Sequence, residues 1–228
     1  MKLGVLVSGS GSNLQAMMDR VQAGHLPGIT LALVVANDPA AYALVRAKNA
    51  GVATACVDHR EFSSREAFDA ALVRRLQDAG VDTVALAGFM RILTPVFLDA
   101  FPGRVLNIHP ALLPAFPGVH AQGQQAEYGV RLAGCTVHFV DERMDHGPII
   151  IQAAVPSMPG DTAQSLGARI LALEHRIYPQ ALAWLAAGRI VVRGRQVEVV
   201  GGAYSVGGQY WTAPALEPPF DEDLAPVS

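Results

Sequence analysis

The chain is poor in cysteine: 228 residues hold two, Cys56 and Cys135, far apart and outside any CxxC spacing. That scarcity disfavours both a disulfide framework and a zinc ribbon, and it leads to the expectation of free thiols in a reducing compartment, hence the cytoplasm. An excess of charge of one sign is missing too, because the formal net charge of −3 comes from interspersed acidic and basic residues. Neither duplex nucleic acid nor an anionic membrane surface finds an electrostatic footprint in such a chain, so small molecules are the expected partners. No apolar run approaches transmembrane length, and the LGVLV that follows Lys2 is too short for the core of a signal peptide. Internal repeats are absent from the sequence.

What is abundant is apolar side chain. A hydrophobic content of 51% over 228 residues can fill one large core or two smaller ones. Short runs rich in Val, Leu and Ile alternate with longer helical patterns, which is the signature of βαβ units and a mainly parallel, doubly wound α/β sheet. The strand candidates are Leu3 to Val7, Thr30 to Ala36, Val81 to Ala87, Val105 to Ile108, Cys135 to Val140 and Ile149 to Val155. Helical patterns fit Asn13 to Ala23, Pro39 to Ala50, Arg65 to Ala79 and Thr162 to Ala187. Ser63 with Glu66 reads as a capping box for the third, and Asp161 with Gln164 as a similar start for the fourth. Pro179 should kink or interrupt that last helix. Beyond it, RIVVRGRQVEVV reads as a hairpin turning near Gly194. Residues 1–200 form the expected catalytic domain, and 201–228 an extension ending in a loose, proline-rich acidic tail.

Three loops carry chemistry. The first is SGSGSNLQ, residues 8 to 15, between the first strand and the first helix. Glycines let successive N–H groups turn toward one spot, and the helix N-terminus adds partial positive charge, so the segment favours a monophosphate. Gly11, Ser12 and Asn13 head the donor set, with Ser10 beside them; a tight turn with no ligand is the plain alternative. Leu14 stands where a dinucleotide fingerprint needs a small residue, and no Walker lysine follows.

The second is IHPALLPAFPGVH, residues 108 to 120, with Pro110, Pro114 and Pro117. Each proline fixes φ at about −65° and lacks an N–H, so the stretch is a stiff loop that aims something. It follows Asn107 and His109, which alternation places on one face at the carboxyl end of a buried strand, where open α/β sheets collect their ligands. Asn107 can donate to a developing oxyanion and His109 can exchange a proton near neutral pH, although such a pair also serves as ordinary structural hydrogen bonding. The third loop lies in VHFVDERMDHGPII, residues 137 to 150, where Asp141, Glu142 and Asp145 are candidates to orient His109 and stabilise its cation. Glu142 is the one expected to be merely solvated, and His138 reads as a core or lining residue. His109, His120, His138 and His146 show no HxH or HExxH spacing, so no metal is expected.

Taken together, SGSGSNLQ, SREAFD, AGFMRIL, LNIHPALLPAFPG, CTVHFVDERMDHGPIIIQ and EHRIYP resemble, in order and spacing over roughly residues 1 to 200, the folate-dependent phosphoribosylglycinamide formyltransferases of purine synthesis. The resemblance implies a Rossmann-type formyltransferase fold, 10-formyltetrahydrofolate as a co-substrate, no tightly bound cofactor, and a monomer or homodimer. It implies that Gly11, Ser12, Asn13 and Glu174 bind the ribonucleotide. Arg65, Met90, Arg91, Ile92, Leu93, Asn107, Val140 and Asp141 would face the folate, and Asn107, His109 and Asp145 would catalyse. Glu174 has independent support, since it falls in line with Ile170 and Ile177 on an otherwise apolar helical stripe, where a polar ligand or a salt bridge has to account for it. The sequence departs from the family at His146, where small residues are common, and at Leu171, where a polar ribose contact can occur.

Other classes are less well served. Resemblance to methionyl-tRNA formyltransferase fails at SGSGSNLQ and lacks a basic C-terminal domain. Formyltetrahydrofolate deformylase usually carries an N-terminal regulatory domain. A nicotinamide-dependent oxidoreductase needs a better glycine fingerprint, for which Asp38 is a weak acidic partner. A non-catalytic nucleotide-binding module is the remaining alternative.

Overall fold

A computed structural model describes residues 1–203, 211–214 and 216–220. The chain forms two compact units, Met1–Asn107 with Phe139–Glu142, and Ile108–His138 with the remainder from Arg143.

The first unit holds β1 (Lys2–Val7), β2 (Thr30–Ala36), β3 (Thr54–Cys56), β4 (Thr83–Leu86) and the opening residues of β5 (Val105–His109). Their order is β3-β2-β1-β4-β5, and every pairing is parallel. Helices α1 (Ser12–Gln22), α2 (Tyr42–Asn49), α3 (Arg65–Asp78) and the single turn α4 (Pro95–Leu98) complete it. Because strands covered on both faces need apolar side chains throughout, Val5, Leu6 and Val7 of β1 are all fully buried. Leu6, Val35, Val84, Leu86, Leu72 and Phe97 share one core, each large side chain contributing about 1.5–3 kcal/mol by leaving water. Gly4 sets the depth at which α3 rests on β1, since a Cβ there would stand 2.7 Å from Leu76 Cδ2.

The second unit is antiparallel. Strand β6 (Leu132–Phe139) pairs with β7 (Ile149–Pro156), and β7 with β10 (Trp211–Ala213). The link between β6 and β7 is too short for a helical crossover, which forces the reversal. At Gly134 of β6 a Cβ would lie 2.0 Å from Ala153 O, so no other residue fits that register. Helices α5 (Ala121–Tyr128) and α6 (Ala163–Ala186) pack on each other, and β8 (Ile190–Arg193) with β9 (Gln196–Val199) makes a separate hairpin with Gly194 in its turn, as the sequence pattern requires.

Several expectations need correction. Pro179 does not interrupt α6: Ala181, Leu182 and Trp184 beyond it are buried, and this packing carries the helix past the proline. The cap of α3 is Ser64, not Ser63, its hydroxyl accepting from Ala67 N at 3.1 Å. The capping box of α6 is Thr162 with Ser165, and Asp161 supports it by accepting from Ser165 Oγ at 2.8 Å. Parts of the C-terminal extension are tied down rather than loose. Both oxygens of Glu217 accept from Arg189 at 2.6 and 2.7 Å, Glu217 N donates to Gln180 Oε1 at 3.0 Å, and Phe220 is buried. The expectation of a loose acidic tail otherwise falls on residues 221–228, outside the described residues. Among the described residues no helix is long and apolar enough to cross a membrane.

Candidate active site

In the first unit, β1 ends at Val7 and the chain turns through Ser8, Gly9 and Gly11 into α1. Gly11 has φ 73° at the N-cap, and a Cβ there would come within 2.6 Å of Ala43 Cβ. Only glycine meets both demands. The turn is held against α2 by Ala43 N donating to Gly9 O at 3.0 Å and Arg46 Nε donating to Ser10 O at 2.8 Å. No side chain at Gly11 caps α1, so the first-turn N–H groups of Ser12 and Asn13 form the electropositive end expected of an anion site.

The same unit carries the segment after β4. Met90 and Ile92 are more than half exposed, whereas Leu93 is buried. Met90 N donates to Ser8 Oγ at 2.8 Å, so this segment is tied to the residue that opens the glycine turn. Arg65 stands exposed at the first residue of α3, and Val140 N donates to Val105 O at 2.9 Å, which places Val140 and Asp141 beside the start of β5.

The second unit holds the histidine. His109 ends β5 almost fully buried, with Nδ1 3.4 Å from Asp145 Oδ2 and Nε2 2.8 Å from Phe116 O. Both ring nitrogens therefore face acceptors, and only an imidazolium donates from both. Asp145 is held in turn by Gly118 N, which donates to Oδ2 at 2.7 Å, while His138 Nε2 lies 3.8 Å from Oδ1. Three non-glycine residues here, Phe116, His120 and Asp145, sit at positive φ of 52°, 59° and 51°. Such conformations are sparsely populated and persist where the surroundings over-determine them. Asn107 precedes His109 by two residues on β5, so the pleat sends both side chains to one face.

Asp145, rather than Asp141 or Glu142, meets His109. Sequence reasoning missed that His138 and the Gly118 amide also converge on Asp145; an ionisable residue in the middle of an apolar strand was the available signal. Glu174 lies buried on α6, and its carboxylate, added to the main effect of burial, pushes the Cys135 thiol well up from its usual value. His146 meets Arg195 of the β8–β9 turn, whose Nη1 lies 3.0 Å from Nδ1 and 3.1 Å from Nε2. Among the described residues no group of three or more His, Cys, Asp and Glu side chains is arranged to hold a metal.

The chain is 45% identical over 190 residues to the phosphoribosylglycinamide formyltransferase of Escherichia coli, covering 83% of this chain and 89% of that one. It is 47% identical over 193 residues to the trifunctional purine biosynthetic protein adenosine-3 of Drosophila melanogaster, covering 84% of this chain but 14% of that much longer protein. The solved structure of glycinamide ribonucleotide transformylase 1 from Symbiobacterium toebii superposes with a TM-score of 0.86 at 54% identity, covering 88% of this chain and 94% of that one. Residues 1–182, well over half of the sequence, match the family model described as formyl transferase, and the chain belongs to that family.

Proposed function

We propose that the protein transfers the formyl group of 10-formyltetrahydrofolate to the amine of glycinamide ribonucleotide, giving formylglycinamide ribonucleotide and tetrahydrofolate in purine synthesis. The observation that carries this reading is the buried His109–Asp145 pair, with Asn107 two residues before the histidine on β5.

The neutral amine attacks the formyl carbon, and the carbonyl oxygen takes up negative charge as the tetrahedral intermediate forms. Asn107 Nδ2 and protonated His109 stabilise that oxygen by hydrogen bonds, the group of effects that usually dominates acyl-type transfers. In the present structure Phe116 O accepts from Nε2, so the formyl oxygen has to take over a donor already aimed and desolvated. The amine gives up its proton, the carbon–nitrogen bond to the folate breaks, and the folate nitrogen leaves protonated, with His109 as the shuttle. Asp145 holds the imidazolium in place. Gly11, Ser12 and Asn13 take the phosphate and Glu174 the ribose or glycinamide part, while Arg65, Met90, Arg91, Ile92, Leu93, Val140 and Asp141 wall the folate. Binding both reactants at once supplies proximity, so neither a covalent enzyme intermediate nor a resident cofactor is called for. A cytoplasmic location and small-molecule partners alone belong to the same reading.

Incubation with both substrates, and with each omitted in turn, tests it. Formylglycinamide ribonucleotide should appear only with both present. Formate and tetrahydrofolate released without the ribonucleotide would make the protein a hydrolase, and tight binding without turnover would make it a binding module.

A further inference from the structure

The segment between β4 and α4 exposes Met90 and Ile92, yet both its ends are fixed from the interior of the first unit. At its far end, Asp69 of α3 is 1% exposed, and a single oxygen, Oδ2, accepts from Thr94 N at 2.6 Å and from Thr94 Oγ1 at 2.7 Å. Burying a carboxylate is costly, and here burial raises the carboxyl above its usual value even though the Thr94 bonds pull it down. Thr94 is the N-cap of α4, but its hydroxyl makes no capping bond there; it is given over to Asp69. The segment's near end is fixed by Met90 N on Ser8 Oγ, and that hydroxyl donates onward to Asn37 Oδ1 at 2.6 Å. Asn37 is itself buried.

We infer that Asp69, through Thr94, and Ser8 are positioning residues that hold the segment Met90–Leu93 in place to receive the pterin-bearing substrate. The inference rests on the proposed role of this segment in folate binding. Asp69 lies one turn after Arg65 on α3, so the same helix that presents Arg65 also sets the end of the segment. An apolar stretch left in water gains little by being held still, whereas a stretch that must receive a flat ring gains affinity from being ordered beforehand.

The test compares steady-state kinetics of the parent with Thr94→Val, which keeps the shape and loses the hydroxyl, and Thr94→Ser, which keeps the hydroxyl. Thr94→Val should raise KM for 10-formyltetrahydrofolate about tenfold, the size of one lost hydrogen bond to a charged group, with kcat and KM for the ribonucleotide little changed. Thr94→Ser should restore the parent value, and Ser8→Ala should shift the same KM in the same direction. A lower melting temperature in Thr94→Val with folate KM unmoved, or an equal rise in both KM values, would overturn the inference. Arg91→Ala separates the two layers. If it raises folate KM while Thr94→Val does not, the anchoring fails alone; if it leaves folate KM untouched, the folate assignment of the segment fails and the inference with it.

Discussion

The glycine-rich turn before α1 and the proline-rich loop after β5 solve opposite problems. In the first, Gly11 reaches a positive φ at no steric cost and leaves Ala43 room, and α1 opens with no side-chain cap. In the second, prolines remove freedom, and Phe116 and His120 are driven to positive φ although each has a Cβ. On the proposed function, the first loop binds with its backbone and needs few side-chain atoms. The second holds strained backbone around His109, which meets Asp145 of the β6–β7 connection. Where the ligand is a phosphate, permissive residues suffice; where a proton has to move, the donor must be held.

The sharpest way to break this contrast is Asn107→Asp. It keeps the shape of the side chain but sets a negative charge beside a developing one, so kcat should fall roughly 100-fold or more in a variant whose circular dichroism matches the parent. Next in size comes Asp145→Asn, which keeps the Gly118 amide bond but removes the charge facing His109 and His138. It should lower kcat by about 10-fold to 100-fold with both KM values nearly unchanged, and single-turnover kinetics would show whether the chemical step has slowed. On the glycine side the expected signature is the reverse. Gly11→Val should raise KM for the ribonucleotide more than it lowers kcat, and should cost about 1–3 kcal/mol of stability from strain at φ 73° and contact with Ala43. Calorimetry showing parental affinity for the ribonucleotide would remove the turn from the site.

The smallest effect distinguishes two helix starts. Helix α1 begins with a glycine and no side-chain cap, whereas α6 begins with the Thr162–Ser165 box and with Asp161, whose carboxyl the Arg169 guanidinium holds at about 2 against an ordinary 3.8. A depressed carboxyl stabilises the fold above its ordinary value and loses that contribution as pH falls through the depressed one. Asp161→Asn should therefore lower the melting temperature slightly at neutral pH, and the gap from the parent should close as pH drops from 3.8 toward 2. A gap that stays constant down to pH 2 would show that the charge of Asp161 does not produce it.

Legibility in the sequence followed how local each cause was. Apolar runs marked six of the strands, β1, β2, β4, β5, β6 and β7, but β3 escaped notice: three residues, two of them half-buried and one exposed, carry no period to read. Strand β10, also only three residues long, escaped likewise. The Ser63 cap failed by one residue because the two serines are adjacent and only backbone geometry chooses between them. The placement of Gly11 before α1, of Asn107 and His109 at the end of β5, and of Asp145 against His109 was legible because glycine spacing, strand-end position and an acidic loop each have a short-range signature. The contacts of Phe116 O, Gly118 N and His138 were not, since they depend on how a proline-rich loop and a distant strand fold onto each other.

The two-residue turn at Gly194 and Arg195 looks like the natural place for a protein engineer to insert a label: it is exposed, short and far along the chain from the histidine. Yet Arg195 touches His146, the residue next to Asp145. A fluorophore or peptide tag grafted there would report on, and disturb, the loop that carries the carboxylate facing His109. Sequence distance is thus a poor guide to a silent attachment point in this protein.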